Sequence, residues 1–231
     1  MIFVHAVLER NTKNVVENNM NLSDKIKKEV QAKLSGINSC HDLEHINRVY
    51  NLAMHIGKLE KANMEVLGLA VILHDIARKE EFKSKGKIDH AERGAILSKQ
   101  ILEKYNLPKE KIEKIVHCVA THRYRDNKMP QTKEAKILYD ADKLDSMGAI
   151  GLGRAFSFAG HIGAKIHNKD IDLSTAKPYS VDDTAWREYE IKLKFLKDKM
   201  LTKEGKKIAK ERHNFMKSFF DRLNNEVDGK I

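Results

Sequence analysis

A histidine and a carboxylate stand side by side at His74 and Asp75, at the end of a run of apolar residues. Apolar side chains between 66 and 77 recur at helical spacing, so the run predicts a helix over 65–77 that faces the core. Polar or charged groups at the end of such a helix are costly to bury unless something binds them. A buried hydrogen bond between two helices and a metal site both account for the pair alone.

Two further positions supply side chains of the same kind. His45 lies four residues after His41 and three before Arg48, so a helix would project all three from one face. Asp142 lies among carboxylates at 140, 142 and 145. With the pair at 74–75, two imidazoles and two carboxylates come from three predicted helices. This mixed set of nitrogen and oxygen ligands favours a divalent transition metal, and the lack of paired cysteines disfavours a structural zinc site.

The order of these residues, in a chain that reads as helical throughout, resembles the HD superfamily of metal-dependent phosphohydrolases. The resemblance is closest to its small single-domain bacterial and archaeal members and covers about residues 20 to 225. It implies an all-α fold, a single HD-domain helical bundle over residues 20–231, with residues 1–19 as an N-terminal extension. Besides the four ligands, it extends to His41-Asp42, Arg48-Val49, Asp89-His90-Ala91-Glu92-Arg93-Gly94-Ala95, His117, His122 and the stretch 140–151.

The metal predicted from the ligand types is Mn²⁺, Fe²⁺, Co²⁺ or Ni²⁺, with Mg²⁺ as a further option. In the family, the aspartate beside the second histidine can bridge to a second ion, for which His90 and His122 are the matching candidates. His117 lies five residues before His122, so a straight helix turns the two side chains about 140° apart, at roughly 100° per residue. We therefore predict His122 as a ligand, with His117 as an outer partner. The predicted ligands of the first ion are His45, His74, Asp75 and Asp142.

Charged neighbours of the ligands are the candidates for catalysis and substrate binding. Arg48 offers a planar fork and Lys143 a compact charge, and both are predicted to bind substrate phosphate. Asp145 lies one helical turn after Asp142 and is predicted to orient a ligand or to accept a proton. Surface ion pairs are the alternative for Arg48 and Lys143. The predicted catalytic set is Asp75, Lys143, Asp145 and Arg48.

The remaining sequence predicts the elements that position these side chains. A charged stretch at 79–89 predicts a loop beside the site, and a polar stretch at 166–183 predicts a long loop that acts as a lid. Five glycines between 148 and 163 indicate close helix packing or a close approach of backbone to a ligand. Two amphipathic helices are predicted at 186–200 and 203–223, with apolar faces formed by Phe195, Leu196, Phe215, Phe219 and Phe220.

The composition describes a globular protein rich in surface charge, with 33% charged residues and a net charge of +10. Solvated helix faces explain most of the excess lysine, and attraction of a polyanion is the alternative. Aromatic residues are not interleaved with the lysines, which argues against a nucleic-acid partner. No stretch has the pattern of a membrane span or a signal peptide. Two cysteines, Cys40 and Cys118, are too few for a disulfide framework, which predicts a cytoplasmic protein.

The combined prediction is a phosphohydrolase that cleaves a phosphoanhydride or phosphoester bond with metal-activated water. The positive surroundings favour a small phosphorylated substrate, a nucleotide in particular. Two alternatives stay open, namely a metal-containing nucleotide sensor without turnover and a phosphatase for small phosphomonoesters. The sequence leaves open whether the chain forms an oligomer.

Overall fold

The computed structural model describes residues 21–34, 43–123 and 128–231, and the regular elements in these ranges are helical. The predicted all-α helical bundle is confirmed. The predicted extension at 1–19 and the motif residues Cys40, His41 and Asp42 lie outside the described ranges. The helices are α1 (Leu22–Leu34), α2 (Leu43–Glu60), α3 (Met64–Leu73), α4 (Arg78–Lys83), α5 (His90–Lys104), α6 (Lys109–Thr121), α7 (Lys133–Leu144), α8 (Gly148–His161), α9 (Ala185–Ile191), a 3₁₀ helix (Leu193–Lys199) and α10 (Lys203–Val227).

Helix α3 lies at the centre of the bundle, because every residue from Val66 to Leu73 is buried. A helix that is apolar on all sides is typical of a position surrounded by other helices. Accordingly α1, α2, α6 and α7 pack against it, and α5 packs against α6. None of the helices in the described ranges combines the length and the hydropathy that crossing a bilayer requires. His74 and Asp75 directly follow α3, so they are carried into the interior of the bundle.

The helix that precedes Asp75 is shorter than the prediction of 65–77. It ends at Leu73, and the backbone then tightens to i−3 hydrogen bonds, with the N–H of Ile76 donating to the carbonyl of Leu73 at 3.1 Å. Apolar spacing continued through this turn, so periodicity alone did not mark the helix end. The predicted loop at 79–89 is also wrong in part, because α4 occupies 78–83.

The C-terminal segment is broken where one helix was predicted over 186–200. Lys192 leaves helical geometry at φ −141° and ψ −58°, and a 3₁₀ helix follows it. Helix α10 runs to Val227, beyond the predicted end at 223. Leu196 and Phe220 are buried as predicted, but the core covers only a narrow stripe of these helices. Three predicted apolar-face residues are therefore 36–50% exposed: Phe195, Phe215 and Phe219.

Close packing explains only part of the glycine-rich stretch. A β-carbon at Gly151 would lie 2.3 Å from the carbonyl oxygen of Ser146, so only glycine fits at this position. In contrast, a β-carbon at Gly153, Gly160 or Gly163 would meet nothing within 4 Å. The segment 166–183 consists of turns and irregular backbone, as predicted, and its action as a lid stays a prediction.

Asp140 ties helix α7 to the start of helix α10. Its side chain is buried, and Oδ1 accepts a hydrogen bond from the backbone N–H of Leu201 at 2.8 Å. Its Oδ2 accepts from the N–H and the hydroxyl of Thr202 at 2.8 and 2.6 Å. A β-carbon at Gly205 would lie 2.2 Å from the same oxygen, so glycine is required there. Asp140 therefore has a structural role, whereas Asp142 and Asp145 lie at the site.

We expect Asp140→Asn to destabilise the protein by about 1–3 kcal/mol, because the amide nitrogen would face N–H and O–H donors in a buried position. Urea unfolding of the purified protein measures this change. Asp221→Asn is the matched control, since Asp221 is exposed and pairs with Lys217 on the same helix. Its effect should stay within about 0.5 kcal/mol. Equal stability of the two variants would contradict the structural role of Asp140.

Candidate metal centre

Three side chains from separate parts of the fold form a first ligand group. His45 comes from α2, His74 from the turn after α3, and Asp142 from α7, and one ligand atom of each lies within 4.8 Å of the others. The Nε2 atoms of the two histidines are 3.4 Å apart, and Nε2 of His45 lies 3.5 Å from Oδ1 of Asp142. These side chains are buried or nearly so, and they could hold one metal ion.

A second ligand group adjoins the first and consists of Asp75, His90 and His122. The Nε2 atoms of His90 and His122 are 3.1 Å apart, and they lie 3.1 and 3.7 Å from Oδ1 of Asp75. The other oxygen, Oδ2, lies 3.7 Å from Nε2 of both His45 and His74. Asp75 thus presents one carboxylate oxygen to each group, which is the arrangement that a bridging ligand requires.

The hydrogen bonds of the ring Nδ1 atoms leave the inward Nε2 atoms of these histidines available to a metal ion. Nδ1 of His74 and of His122 each lies 2.7 Å from a backbone carbonyl, which can only accept, so each Nδ1 carries the proton. Nδ1 of His45 lies 2.8 Å from Oδ2 of Asp145. On the neutral rings the inward Nε2 atoms therefore carry lone pairs, and they lie close enough together to ligate a cation between them. The residues present fit divalent metal ions on this observation.

Electrostatics around the first group favour a cation. Burial lowers the pKa of His45, but hydrogen bonds with Asp142 and Asp145 outweigh it and raise that pKa to about 9. Burial lowers the pKa of His74 to about 4. Burial also opposes ionisation of Asp142, yet Lys143 and His45 hold the pKa of this carboxyl well below its ordinary value. The first group therefore attracts positive charge, which is a proton on His45 in the absence of metal.

Asp145 supports the first group from outside. Its Oδ2 accepts from Nδ1 of His45, and Nε and Nη2 of Arg48 donate to its two oxygens at 2.7 and 3.1 Å. Nη1 of Arg154 donates to Oδ2 at 2.8 Å. This geometry agrees with the orienting role predicted for Asp145. Arg48 holds Asp145 in place, and its contact with substrate stays a prediction.

Glu81 supports the second group in the same way and was missed in the sequence. Its Oε2 lies 2.9 Å from Nδ1 of His90, and its two oxygens accept from Arg78 and Arg123 at 2.7 Å each. Burial opposes ionisation of Glu81, but His90 and Arg78 lower its pKa to about 2. Two sequence signals could have pointed to these arginines, because Arg78 lies three residues after Asp75 and Arg123 directly follows His122.

A cavity of about 740 Å³ opens beside the first ligand group, and we call it the phosphate cavity after the ligand that we propose for it below. Asp142 and Lys143 line it, with Nζ of Lys143 donating to Oδ2 of Asp142 at 2.8 Å. Its lining is strongly cationic, because it contains six basic side chains and only two carboxylates, Asp142 and Asp198. These are Arg78, Arg123, Lys143, Arg154, Lys192 and Lys199.

The prediction of His117 as an outer partner of the metal ligands is wrong. Its Nε2 accepts from the backbone N–H of Gln131 at 3.0 Å, and the residue lines a different cavity, of about 700 Å³, between α5 and α6. The spacing argument was sound, because five helical residues turn His117 and His122 in different directions. The error was to keep both near the metal ions.

Comparison with known proteins agrees with this geometry. The family model of the HD domain matches residues 42–147. The uncharacterized protein YpgQ of Bacillus subtilis is 31% identical over 214 residues, which cover 90% of this chain and 94% of YpgQ. The crystal structure of YpgQ in complex with ADP has a TM-score of 0.68 at 28% identity, covering 88% of this chain and 94% of that one. An HD-superfamily hydrolase from Bacillus thuringiensis has a TM-score of 0.71 at 27% identity, covering 89% and 96%. The chain therefore belongs to the HD-domain family and has the fold of HD-superfamily hydrolases.

Proposed function

We propose that this protein is a metal-dependent phosphohydrolase that cleaves a phosphoanhydride or phosphoester bond of a nucleotide. One observation carries the proposal: two ligand groups meet at the two oxygens of Asp75, next to the cationic phosphate cavity. In two-metal phosphatases and nucleases, ions of this kind clamp the attacking and leaving oxygens of the reacting phosphate. The fold of HD-superfamily hydrolases supports the same class of reaction.

A nucleotide is the substrate class that the surroundings favour. Six basic side chains line the phosphate cavity, so it suits a ligand with several negative charges. YpgQ, which is similar over most of this chain, has been crystallised with ADP. A small phosphomonoester carries less charge and would leave much of this cationic lining unpaired.

The proposed metal ligands are His45, His74 and Asp142 for one ion and His90 and His122 for the other, with Asp75 between them. Mn²⁺, Fe²⁺, Co²⁺ or Ni²⁺ suits such mixed ligands, and Mg²⁺ is the oxygen-preferring alternative. When bound, such ions supply Lewis acidity and water of lowered pKa.

The protein's own residues have the following proposed roles. Asp145 fixes the tautomer and the ring orientation of His45, and Glu81 orients the ring of His90. Lys143 lines the phosphate cavity beside Asp142, where its ammonium group can bind a substrate phosphate as a point charge. Arg48 holds Asp145 and is the second proposed phosphate ligand. We also place the protein in the cytoplasm, since its two cysteines cannot form a disulfide framework.

We expect purified protein with Mn²⁺ to hydrolyse at least one member of a panel of nucleoside mono-, di- and triphosphates, cyclic nucleotides and simple phosphomonoesters. Pyrophosphate release from a triphosphate would indicate attack at the α-phosphorus, and orthophosphate release a terminal cleavage or a monoester reaction. Chromatography of the nucleotide products with phosphate and pyrophosphate assays distinguishes these outcomes. Protein carrying Asp75→Asn, purified in the same way, controls for contaminating phosphatases.

Three results would contradict the proposal. Nucleotide binding without any product would favour the sensor alternative, and turnover of simple monoesters alone would favour a small-molecule phosphatase. Equal activity in the presence of excess EDTA, after removal of metal, would exclude the metal-dependent mechanism.

A further inference from the structure

A second cavity, of about 530 Å³, adjoins the phosphate cavity. The two cavities share three lining residues, namely Ser146, Arg154 and Lys192. Arg154 donates to Asp145, which in turn accepts from Nδ1 of His45, so one carboxylate separates the wall of the second cavity from a proposed metal ligand. Its volume falls within the range of about 300–1,000 Å³ that is typical of small-molecule sites.

Two aromatic side chains line this second cavity. Phe158 from α8 and Tyr179 from the loop at 162–184 line it, with ring centroids 5.7 Å apart and an interplanar angle of 72°. Both rings keep exposed surface, 41% of Phe158 and 76% of Tyr179. Single exposed aromatics are common on protein surfaces. A pair at the wall of a cavity offers a planar ligand a face on which to stack.

The backbone at Tyr179 indicates that its position is specified. Tyr179 has φ +58°, a left-handed conformation that is unfavourable for a residue with a bulky side chain. Its N–H donates to Oδ2 of Asp183 at 2.8 Å, and Oδ1 of Asp183 accepts from Arg187 at 2.7 Å. Arg187 also donates to the carbonyl of Ala176 at 3.1 Å. Asp183 and Arg187 are each 8% exposed, so a buried ion pair holds a strained turn that presents an exposed ring.

The rest of the lining suits the polar edge of a nucleoside. Pro178, Ile191 and Leu193 contribute apolar surface, while Ser146 and Glu188 add a hydroxyl and a carboxylate. These groups can accept hydrogen bonds from amino groups of a base or hydroxyls of a sugar. A cavity that combines apolar walls with polar groups that can orient a ligand is typical of small-molecule recognition.

We propose that this second cavity, the base cavity, binds the nucleobase and the sugar of a nucleotide whose phosphates occupy the phosphate cavity. The base stacks on the ring of Tyr179 with Phe158 against its edge, and Arg154 and Lys192 lie at the junction between the two cavities. This inference rests on the proposed function for the nature of the ligand. It adds the residues that distinguish a nucleotide from other phosphorylated compounds.

The test compares two metal-binding anions that differ only in the nucleoside. Both α,β-methylene-ADP and methylenediphosphonate carry a phosphorus–carbon–phosphorus link that resists hydrolysis, and each is titrated calorimetrically into the full-length protein with Mn²⁺. Tyr179→Gly removes the ring and adopts a positive φ without strain. Tyr179→Phe keeps the ring. Phe215→Ala removes a half-exposed aromatic ring of α10 that is not among the lining residues of either cavity, and it serves as the control.

We expect Tyr179→Gly to raise the Kd of α,β-methylene-ADP about 5- to 100-fold, the usual cost of losing one base-stacking ring. The Kd of methylenediphosphonate should change by no more than about twofold. Tyr179→Phe and Phe215→Ala should bind both ligands as the wild type does. An equal change for the two anions, or no change for either, would overturn the base cavity, as would wild-type protein that binds the nucleotide no more tightly than the diphosphonate.

The binding assay separates this inference from the proposed function. If the wild type hydrolyses no nucleotide but Tyr179→Gly weakens nucleotide binding selectively, the base cavity stands and the hydrolase proposal fails. If nucleotides are hydrolysed but the selective loss is missing, the hydrolase proposal stands and the base cavity fails.

Discussion

Asp75→Asn should reduce nucleotide hydrolysis by more than about 100-fold, which is the upper limit for outer partners of a metal site. Asparagine keeps the size of the side chain, but it offers one acceptor oxygen and an amide nitrogen that only donates. In the wild type, Oδ1 lies 3.1 Å from Nε2 of His90, while Oδ2 lies 3.7 Å from Nε2 of His45 and His74. The variant therefore cannot serve both ligand groups. The turnover number with Mn²⁺ and the bound metal per chain are the measurements.

Asp145→Asn is the matched control for this prediction, since it changes a carboxylate that contacts His45 from outside the ligand groups. Its loss of turnover should be about 10- to 100-fold. Circular dichroism and thermal melts of the metal-free proteins should show that both variants fold as the wild type does. An Asp75→Asn protein with full metal content and at least a tenth of wild-type turnover would refute the bridging role of Asp75.

The four candidate ligands of the first ion could be found in the sequence because each chemical type recurs at a position that helical spacing can interpret, whereas His90 and His122 were predicted from the family resemblance. His74 and Asp75 end an apolar run, and His45 and Asp142 each lie beside other polar groups on a predicted helix. The face of a regular helix on which a residue lies can be predicted from its spacing alone, without knowledge of the tertiary structure. The all-α class follows from the same periodicity.

The surrounding charges could not be found in this way, because long-range packing decides their partners. Glu81 meets Arg123 from 42 positions away, and Arg154 reaches Asp145 from the next helix. An ion pair between distant parts of the chain leaves no periodic trace in a single sequence. The stretch at 79–89 therefore looked like a solvated charged loop, although α4 carries Glu81 to the second ligand group. The strained turn at Tyr179 was hidden for a different reason, because the side chains of Asp183 and Arg187 stabilise it through local contacts that have no periodic pattern.

His122→Ala should lower the bound metal by about one ion per chain and leave the first ligand group occupied. Its Nε2 lies 3.1 Å from that of His90 and 3.7 Å from Oδ1 of Asp75, so the second ion would lose one of three protein ligands. Turnover should fall by more than about 100-fold, because a two-metal clamp on the reacting phosphate would be broken. Elemental analysis of protein exchanged into metal-free buffer after loading with Mn²⁺ gives the stoichiometry, and kinetics on the same samples give the turnover.

His117→Ala provides the control on the same helical segment, because His117 contacts the backbone of Gln131 and lines the cavity between α5 and α6. Its metal content and turnover should match the wild type. A single-metal site predicts a different pattern for His122→Ala, with unchanged stoichiometry and a loss of only about 10- to 100-fold, as for an outer partner. That pattern would leave His45, His74, Asp75 and Asp142 as the complete ligand set. If His122→Ala instead loses both one ion and its turnover, while His117→Ala loses neither, the second ion is required for catalysis.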